Sequence, residues 1–413
     1  MMDHRPSSAP FRHLFFLLGI GLTFFMPVTP ASGQTQPDLT WSGEVRPRIY
    51  GRKPVQNDWD HWISMRTRLG LDARVPNGMG LFIQIQDVRF WGEELSNRDQ
   101  SANAVDFHQA YLEVESLPGV GGLIRAGRQE VQLAEGRFIS APDWGQGGQS
   151  FDGVRWMRPV GKGKVDLVYL RTQEGTVPDH DFSADFTAAW MNMALGTAGS
   201  MDLLGIHDRT GDPAGTSQTT IGPIVKGGTG PVDFRAQGMY QFGERGKTDV
   251  SAYMVALSGR LEVLDGRGSV TLWYDHLSGS NDSAEGLGDG EIGSFSTLYG
   301  ARHRYYGRAD YFLDIPRATE NLGFQDTALK LAFSPTPLLG LNLDLHAFST
   351  AEEGDLSNRT LGQEMEFWAQ YRFRDVLNLE GGYSVTWAGD AMEELGLLDG
   401  TGYVAYFMTS FRF

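Results

Sequence analysis

Residues 62–75 read Trp62-Ile63-Ser64-Met65-Arg66-Thr67-Arg68-Leu69-Gly70-Leu71-Asp72-Ala73-Arg74-Val75. Met65, Thr67, Leu69, Leu71 and Ala73 alternate with Arg66, Arg68, Gly70, Asp72 and Arg74. A period of two marks a β-strand, because successive side chains leave opposite faces of the pleat. A half-buried strand of a soluble protein turns its polar side to bulk water and carries any mixture of charges there. Here that side is a row of arginines, which predicts a strand whose polar face lines a water-filled lumen.

The alternation recurs over 39–50, 79–91, 105–116, 121–132, 150–159, 163–172, 185–196, 199–209, 217–226, 230–243, 248–263, 266–280, 324–335, 339–350, 361–375, 378–389 and 401–413. With 62–75 this makes eighteen candidate strands. Every second connection is tight, as at Pro76-Asn77-Gly78, Val160-Gly161-Lys162, Leu264-Asp265 and Val376-Leu377. The intervening ones are mostly longer, as at 92–104, 133–149, 173–184, 281–323 and 390–400. Short periplasmic turns opposite long extracellular loops, with an even strand number, are the pattern of a bacterial outer-membrane barrel. The last strand places Tyr403, Ala405, Phe407, Thr409, Phe411 and Phe413 on one face. The expected fold is therefore all-β: a transmembrane antiparallel β-barrel of about 18 strands.

A barrel turns its apolar face to lipid and keeps its polar face inside, since Arg or Lys on the lipid side costs about 2–4 kcal/mol at the midplane. Met365, Phe367, Ala369, Tyr371 and Phe373 stand opposite Glu364, Glu366, Gln370 and Arg372. Leu341, Leu343 and Leu345 stand opposite Asn342, Asp344 and His346, and Phe234 and Ala236 opposite Arg235 and Gln237. The lumen is expected to be lined by charged and amide side chains and to lack a packed apolar core. Arginines gather on the early strands: Arg46, Arg48, Arg66, Arg68, Arg128 and Arg155, with Asp72 and Arg74 toward the periplasmic mouth. Unpaired guanidinium groups in a constriction would bind carboxylates bidentately and favour anions. Glu44, Asp72, Glu364 and Glu366 stand as the acids that would neutralise them.

The chain begins with a polar segment carrying Arg5 and Arg12, an apolar run from Leu14 to Phe25, and small residues at Ala31, Ser32 and Gly33. That reads as a signal peptide over 1–33 ahead of a barrel over 34–413 and implies export to the outer membrane, with its lipid as a partner. The absence of cysteine excludes disulfides and thiolate metal sites. No linker or charge block divides the chain, and 53 glycines with 12% aromatics suit strands, turns and interfacial girdles. A net charge of −16 excludes a nucleic-acid footprint.

Catalysis would need a Ser/His/Asp or Asp/His set. His180 between Asp179 and Asp181, and His303, fall on loops, where nine histidines in a chain this long meet acids by chance. Asp282, Asp289 and Glu291 lack the spacing of a calcium loop. Gly145 to Gly148 follow no strand-to-helix transition and make no phosphate loop. No enzyme, cofactor or metal is expected. The connection over 281–323 is far longer than its neighbours and carries Arg302, Arg304 and Arg308 among Tyr305, Tyr306, Tyr311 and Phe312. Loops of this length are usually functional or disordered, and this one is read as a gate folded into the lumen, with an exposed surface-binding loop as the alternative.

Gln109-Ala110-Tyr111, Gly127-Arg128-Gln129, Gly136, Trp144 and Phe151-Asp152-Gly153-Val154-Arg155 resemble the alginate export family of outer-membrane proteins. Leu341-Asn342-Leu343-Asp344 with His346 and Phe348, and Leu361-Gly362 with Glu364, are similar to its C-terminal half. The resemblance implies an eighteen-stranded barrel with an electropositive constriction that conducts a polyuronate, with Arg128 and Arg155 as lumen arginines and Arg66 and Arg68 beside them. Glu366 departs from the pattern, where an Asp is expected, and strict alternation puts Arg128 on the face opposite Arg125 and Gln129. Three functions follow as expectations. The first is a passive export channel for an acidic, alginate-like polysaccharide, which would work with a periplasmic secretion scaffold. The alternatives are a diffusion porin for small anions or organic acids, and an adhesive or structural barrel acting through its loops.

Overall fold

The computed structural model describes residues 36–53, 59–93, 105–174, 183–211, 215–281 and 290–413. The leader expected over 1–33 lies outside the described residues, as do Asp179, His180, Asp181, Asp282 and Asp289.

Six strands open the chain: β1 (Asp38–Lys53), β2 (Asp60–Val75), β3 (Met79–Phe90), β4 (Asp106–Glu115), β5 (Leu123–Gln129) and β6 (Phe151–Val160). Next come β7 (Gly163–Gln173), β8 (Ala184–Ala194), β9 (Ser200–Thr210), β10 (Thr216–Thr229), β11 (Val232–Arg245) and β12 (Thr248–Val263). The set ends with β13 (Gly268–Leu277), β14 (Phe324–Thr336), β15 (Leu339–Ser349), β16 (Thr360–Phe373), β17 (Leu377–Ala388) and β18 (Thr401–Arg412). Each pairs antiparallel with the next, and β1 pairs with β18, so the 18-stranded sheet closes on itself. Closure removes the free edges that an open sheet would expose.

At the closing seam Val45 faces Phe411 and Arg48 faces Met408, while Arg46 and Pro47 between them have no β18 partner. Pro47 has no N–H to give, which accounts for the gap in the ladder. Arg412 Nε donates to Glu44 Oε1 at 2.9 Å, so an ion pair also ties the last strand to the first.

Turns join the strands at one end of the barrel and long loops at the other. The turn expected at Leu264-Asp265 spans four residues, since Val263 pairs with Gly268; Arg267 N–H donates to the Leu264 carbonyl at 3.2 Å around Asp265 and Gly266, at φ 53° and 81°. The turn expected at Val376-Leu377 falls instead on Arg374 and Asp375, at φ 51° and 56°, because Leu377 already pairs in the β17 ladder. Long loops carry three short helices, α1 (Arg302–Tyr305), α2 (Ile315–Ala318) and α3 (Asp390–Glu394).

The lipid-side assignment holds along the strands. Val45, Ile49, Leu69, Leu257, Leu272, Phe367 and Phe407 are exposed on the outside. Trp41, Phe373, Phe411 and Phe413 ring the short-turn end, and Phe90, Trp91 and Trp387 ring the other, as interfacial girdles. The inner face departs from expectation on β7 to β9 and β12. Val168, Leu170, Phe186, Trp190, Leu204, Ile206 and Met254 point inward and are buried, so these strands are largely apolar on both faces. What they bury is protein. Leu133, Phe138, Ile139, Phe295, Tyr305 and Tyr306 from two long loops join them in one apolar cluster inside the barrel.

Candidate functional site: a lumen narrowed by two loops

The first loop, over 130–150, runs from β5 to β6 and folds against the arginine face of β1 and β2. Its segment Asp143-Trp144-Gly145-Gln146-Gly147-Gly148 supplies bare backbone carbonyls and two polar side chains. Arg46 Nε donates to Gln146 Oε1 and its Nη2 to the Gly145 carbonyl, both at 2.9 Å. Arg48 Nη1 donates to the Trp144 carbonyl at 2.8 Å, and its guanidinium lies 4.6 Å from the Trp144 ring centroid. Arg66 Nη2 reaches Glu44 Oε2 and Asp143 Oδ1, each at 2.6 Å. Arg68 Nε donates to Gln86 Oε1 at 2.6 Å, and its Nη1 stands 3.3 Å from Glu130. A Cβ on Gly148 would stand 2.5 Å from Arg68 Nη2, at φ 67°, so only glycine fits there. The glycine run is thus a docking strap for guanidinium groups.

These arginines are sealed: Arg46 is 1% exposed and Arg66 0%. A buried cation stripped of its partner is strongly destabilising, so the loop and the strands hold each other. Burial by itself would raise the Asp143 carboxyl; the charges of Arg66 and Arg46 outweigh it and hold it down at about 2. The arginine row, which the sequence leaves open between free and ion-paired, is a partnered one. Asp143, Glu130 and the loop carbonyls, as well as Glu44, do the pairing.

The second loop joins β13 to β14, and its residues 290–323 fold inward and pack in the interior cluster. The two loops form one body. Ile139 and Tyr299 make a parallel bridge, with Tyr299 N–H donating to the Phe138 carbonyl at 2.9 Å and Ser140 N–H to the Tyr299 carbonyl at 3.2 Å. The His303 ring stacks on Trp144 at 3.9 Å, and both rings bond Asp310, His303 Nδ1 at 2.7 Å and Trp144 Nε1 at 3.1 Å. Arg137 reaches from the first loop to the wall at Asp275, 2.8 Å away, with its guanidinium 4.3 Å from the Tyr305 ring centroid. Arg137 and Asp275 are buried at 2% and 0% exposure, and removing one partner of such a pair costs about 3–5 kcal/mol.

The second loop also meets the acids of β16. Ala309 N–H donates to Glu364 Oε1 at 3.0 Å, and Arg308 N–H donates to Glu366. A Cβ on Gly307 would come within 2.9 Å of Glu364 Oε1, so the approach again needs glycine. Arg308 lies 4.0 Å from the Trp368 ring centroid and donates to the Tyr406 hydroxyl at 3.2 Å. Beside them Asp344, His346 and Glu366 offer ligand atoms within 4.8 Å of one another. A cation already sits there: Lys330 Nζ is 2.9 Å from Asp344 and 3.2 Å from His346 Nε2.

The remaining expected residues separate into three groups. Arg155, Arg74, Asp72 and Arg235 do face inward, and each is paired. Arg155 forks onto Asp166 at 2.6 and 2.9 Å, Arg74 bonds Asp72 and Glu113, and Arg235 bonds Glu135 of the first loop. Glu135 is held below the usual carboxylate range: burial would raise it, and the charges of Arg235 and Lys226 overcome that. Arg372 is exposed near the short-turn end, Arg302 bonds Thr297 and the Leu298 carbonyl within its own loop, and Arg304 is exposed to the lumen. Arg128 is a correction. It pairs across the ladder with Asp152, bonds it at 3.0 Å, and shares the outward face with Val154, while Arg125 and Gln129 point inward. Alternation across β5 decides its direction, and Arg128 does not line the lumen.

Sequence reading missed Arg137, Asp143, Glu130 and Asp275 as partners of this site. Trp144 was noted only as a motif residue and Gly145 to Gly148 only as a failed phosphate loop. The available signal was a polar, glycine-rich loop of unusual length beside an arginine-rich strand pair.

Space remains around the loop body. A cavity of about 570 Å³ at the long-loop end is bordered by Asp208, Arg245, Asp314 and Arg317. One of about 320 Å³ lies at Arg66, Arg68, Asp143 and Arg412. Toward the short-turn end, one of about 350 Å³ is bordered by Arg235, Trp273, Arg304, Arg308, Lys330 and Trp368. It shares Arg235 and Trp273 with a further one of about 510 Å³ that includes Lys226 and Arg260.

Solved structures of low sequence identity share the fold. OpdO of Pseudomonas aeruginosa matches at TM-score 0.62 with 14% identity, over 91% of this chain and 97% of that one. OccAB1 of Acinetobacter baumannii matches at 0.63 with 11% identity, over 91% and 96%. OpdK of Pseudomonas aeruginosa, solved with vanillate, matches at 0.58 with 12% identity, over 90% and 98%. No curated protein matches the chain. The alginate export family matches over residues 48–398, and this outer-membrane β-barrel, with its basic, loop-narrowed lumen, belongs to it.

Proposed function

We propose that the protein is a passive channel of the outer membrane, turns in the periplasm, that passes small organic anions. The observation that carries this reading is the loop body. Two loops bonded to each other and to the wall divide the lumen into cavities of about 320 to 570 Å³, the size class of small-molecule sites. A polyuronate carries a carboxylate on every ring and needs a continuous wide path, whereas a small acid can move between pockets that each carry at least two basic side chains. Conduction asks for several weak sites, since tight binding would hold the solute. The likeness in fold to OpdK, solved with vanillate, supports a small carboxylate as cargo.

Family membership favours polyuronate export as the second reading. It would require the loop body to leave the lumen, breaking the Arg137–Asp275 and Arg66–Asp143 pairs together.

Reversal potentials of the purified protein in planar bilayers under a salt gradient, with solute flux into liposomes, test the reading. Anion selectivity and passage of benzoate with exclusion of hexameric uronates are expected. Cation selectivity, or hexamer flux through the unaltered protein, overturns it.

A further inference from the structure

The cavity of about 350 Å³ holds a cation that internal pairing leaves over. Its wall carries Arg235, Arg304, Arg308 and Lys330 against the carboxylates Glu135, Asp344 and Glu366, with the imidazoles His303 and His346 bonded to Asp310 and Asp326. Three of the cations are matched. Arg235 pairs with Glu135, Lys330 with Asp344 at 2.9 Å, and Arg308 stands 4.0 Å from Glu366 and 3.7 Å from Glu380. Arg304 is left. It sits on α1, exposed, with no side-chain hydrogen bond or ion pair among the described residues, and touches only the ring of its neighbour Tyr305 at 5.6 Å.

We propose that this cavity binds one aromatic monocarboxylate, with Arg304 as the residue that takes its carboxylate. The inference rests on the small-anion reading above and narrows it to a solute class and a position. A guanidinium offers a planar fork that meets a carboxylate through two parallel hydrogen bonds. Wherever Arg308 and Lys330 already have acids, a solute must compete with a tethered carboxylate; at Arg304 it competes only with water. One surplus cation selects one negative charge. A second carboxylate would be brought toward Glu135, Asp344 or Glu366, and like charges in a partly desolvated site repel.

The wall also favours a ring. Trp273 and Trp368 border the same space and are half-buried, so the parts of their rings that Arg308 leaves open can stack on a planar body. Two donors of wall residues, Trp273 Nε1 and Arg235 Nη1, are buried with no hydrogen-bond partner among the described residues. Both atoms are closed to the cavity, so the solute's carboxylate is left to Arg304.

Single-channel recording with benzoate, acetate and phthalate as probes tests the inference. Benzoate should interrupt the wild-type current at lower concentration than acetate or the dianion phthalate. Arg304→Gln, at an exposed position that folding does not need, should raise the half-blocking concentration of benzoate by about tenfold or more. Trp368→Leu should erase the advantage of benzoate over acetate. Benzoate block that is equal in wild type and Arg304→Gln, or phthalate block stronger than benzoate block, overturns the subsite. The reversal potential without benzoate separates the two readings. Cation selectivity removes the small-anion channel itself, while anion selectivity with unaltered benzoate block removes only the Arg304 site.

Discussion

Arg46, Arg48, Arg66 and Arg68 of β1 and β2 are buried, and each is bonded to the first loop or to an acid beside it. Arg304 of α1, on the second loop, is exposed and has no acid partner among the described residues. The sequence makes the first set conspicuous and leaves the second inside a long connection. The structure gives them opposite work. A guanidinium removed from water needs a partner that offsets its lost hydration, so the most crowded arginine face became the one most fully occupied by protein. What a lumen can offer a passing anion is the charge left after internal pairing, and that charge is small and local.

The comparison breaks most visibly if the first loop is removed. Replacing residues 137–149 with a short Gly-Ser turn strips Arg46, Arg48 and Arg66 of their loop partners and empties the middle of the lumen. A several-fold rise in single-channel conductance is expected, with a stronger preference for anions. Passage of hexameric uronates through this variant alone would show that the polymer path exists and is held shut. Conductance at the wild-type level would mean that the loop does not narrow the pore.

A weaker perturbation is acid. The folded Asp143 carboxyl lies at about 2, below its ordinary value of 3.8, so the stabilisation it gives is present above the ordinary value and is lost as pH falls through the folded one. Conductance should therefore hold steady from pH 7 to about 4 and become noisy only as pH approaches 2. Asp143→Asn should show the noisy behaviour at neutral pH. A transition near pH 6 would assign the loop anchor to another group.

The smallest effect is expected outside the pore. Arg128→Ala removes an outward pair in which Arg128 is 37% exposed and Asp152 61%, worth about 0–1 kcal/mol. Conductance and selectivity should be unchanged. A shift in selectivity would place Arg128 back among the lumen arginines.

Arg128 also shows how far the sequence could be trusted. Period-two alternation placed it opposite Arg125 and Gln129, while the motif it shares with the alginate export family suggested the lumen. The local rule was right, because the pleat leaves a side chain no choice of face between bulges. The same alternation turns Arg46, Arg66, Arg235, Glu364 and Glu366 to the inner face, where they are buried. It failed on β7 to β9, where both faces are apolar and neither names the lipid side. It had nothing to say about Arg137, 138 residues from the Asp275 it binds.

By itself the sequence determined strand number, the end that carries the long loops, and, outside β7 to β9, the face each side chain takes. These follow from the pleat and from lipid, which act on neighbours along the chain and across one turn. Only the tertiary structure decided which arginines are spent on Glu44, Glu130 and Asp143, and that Arg304 is not. The pairings of Arg46 and Arg66 with Asp143 join groups 97 and 77 residues apart, through a loop whose path is set by the apolar contacts it buries inside the barrel. No local periodicity encodes where such a loop comes to rest.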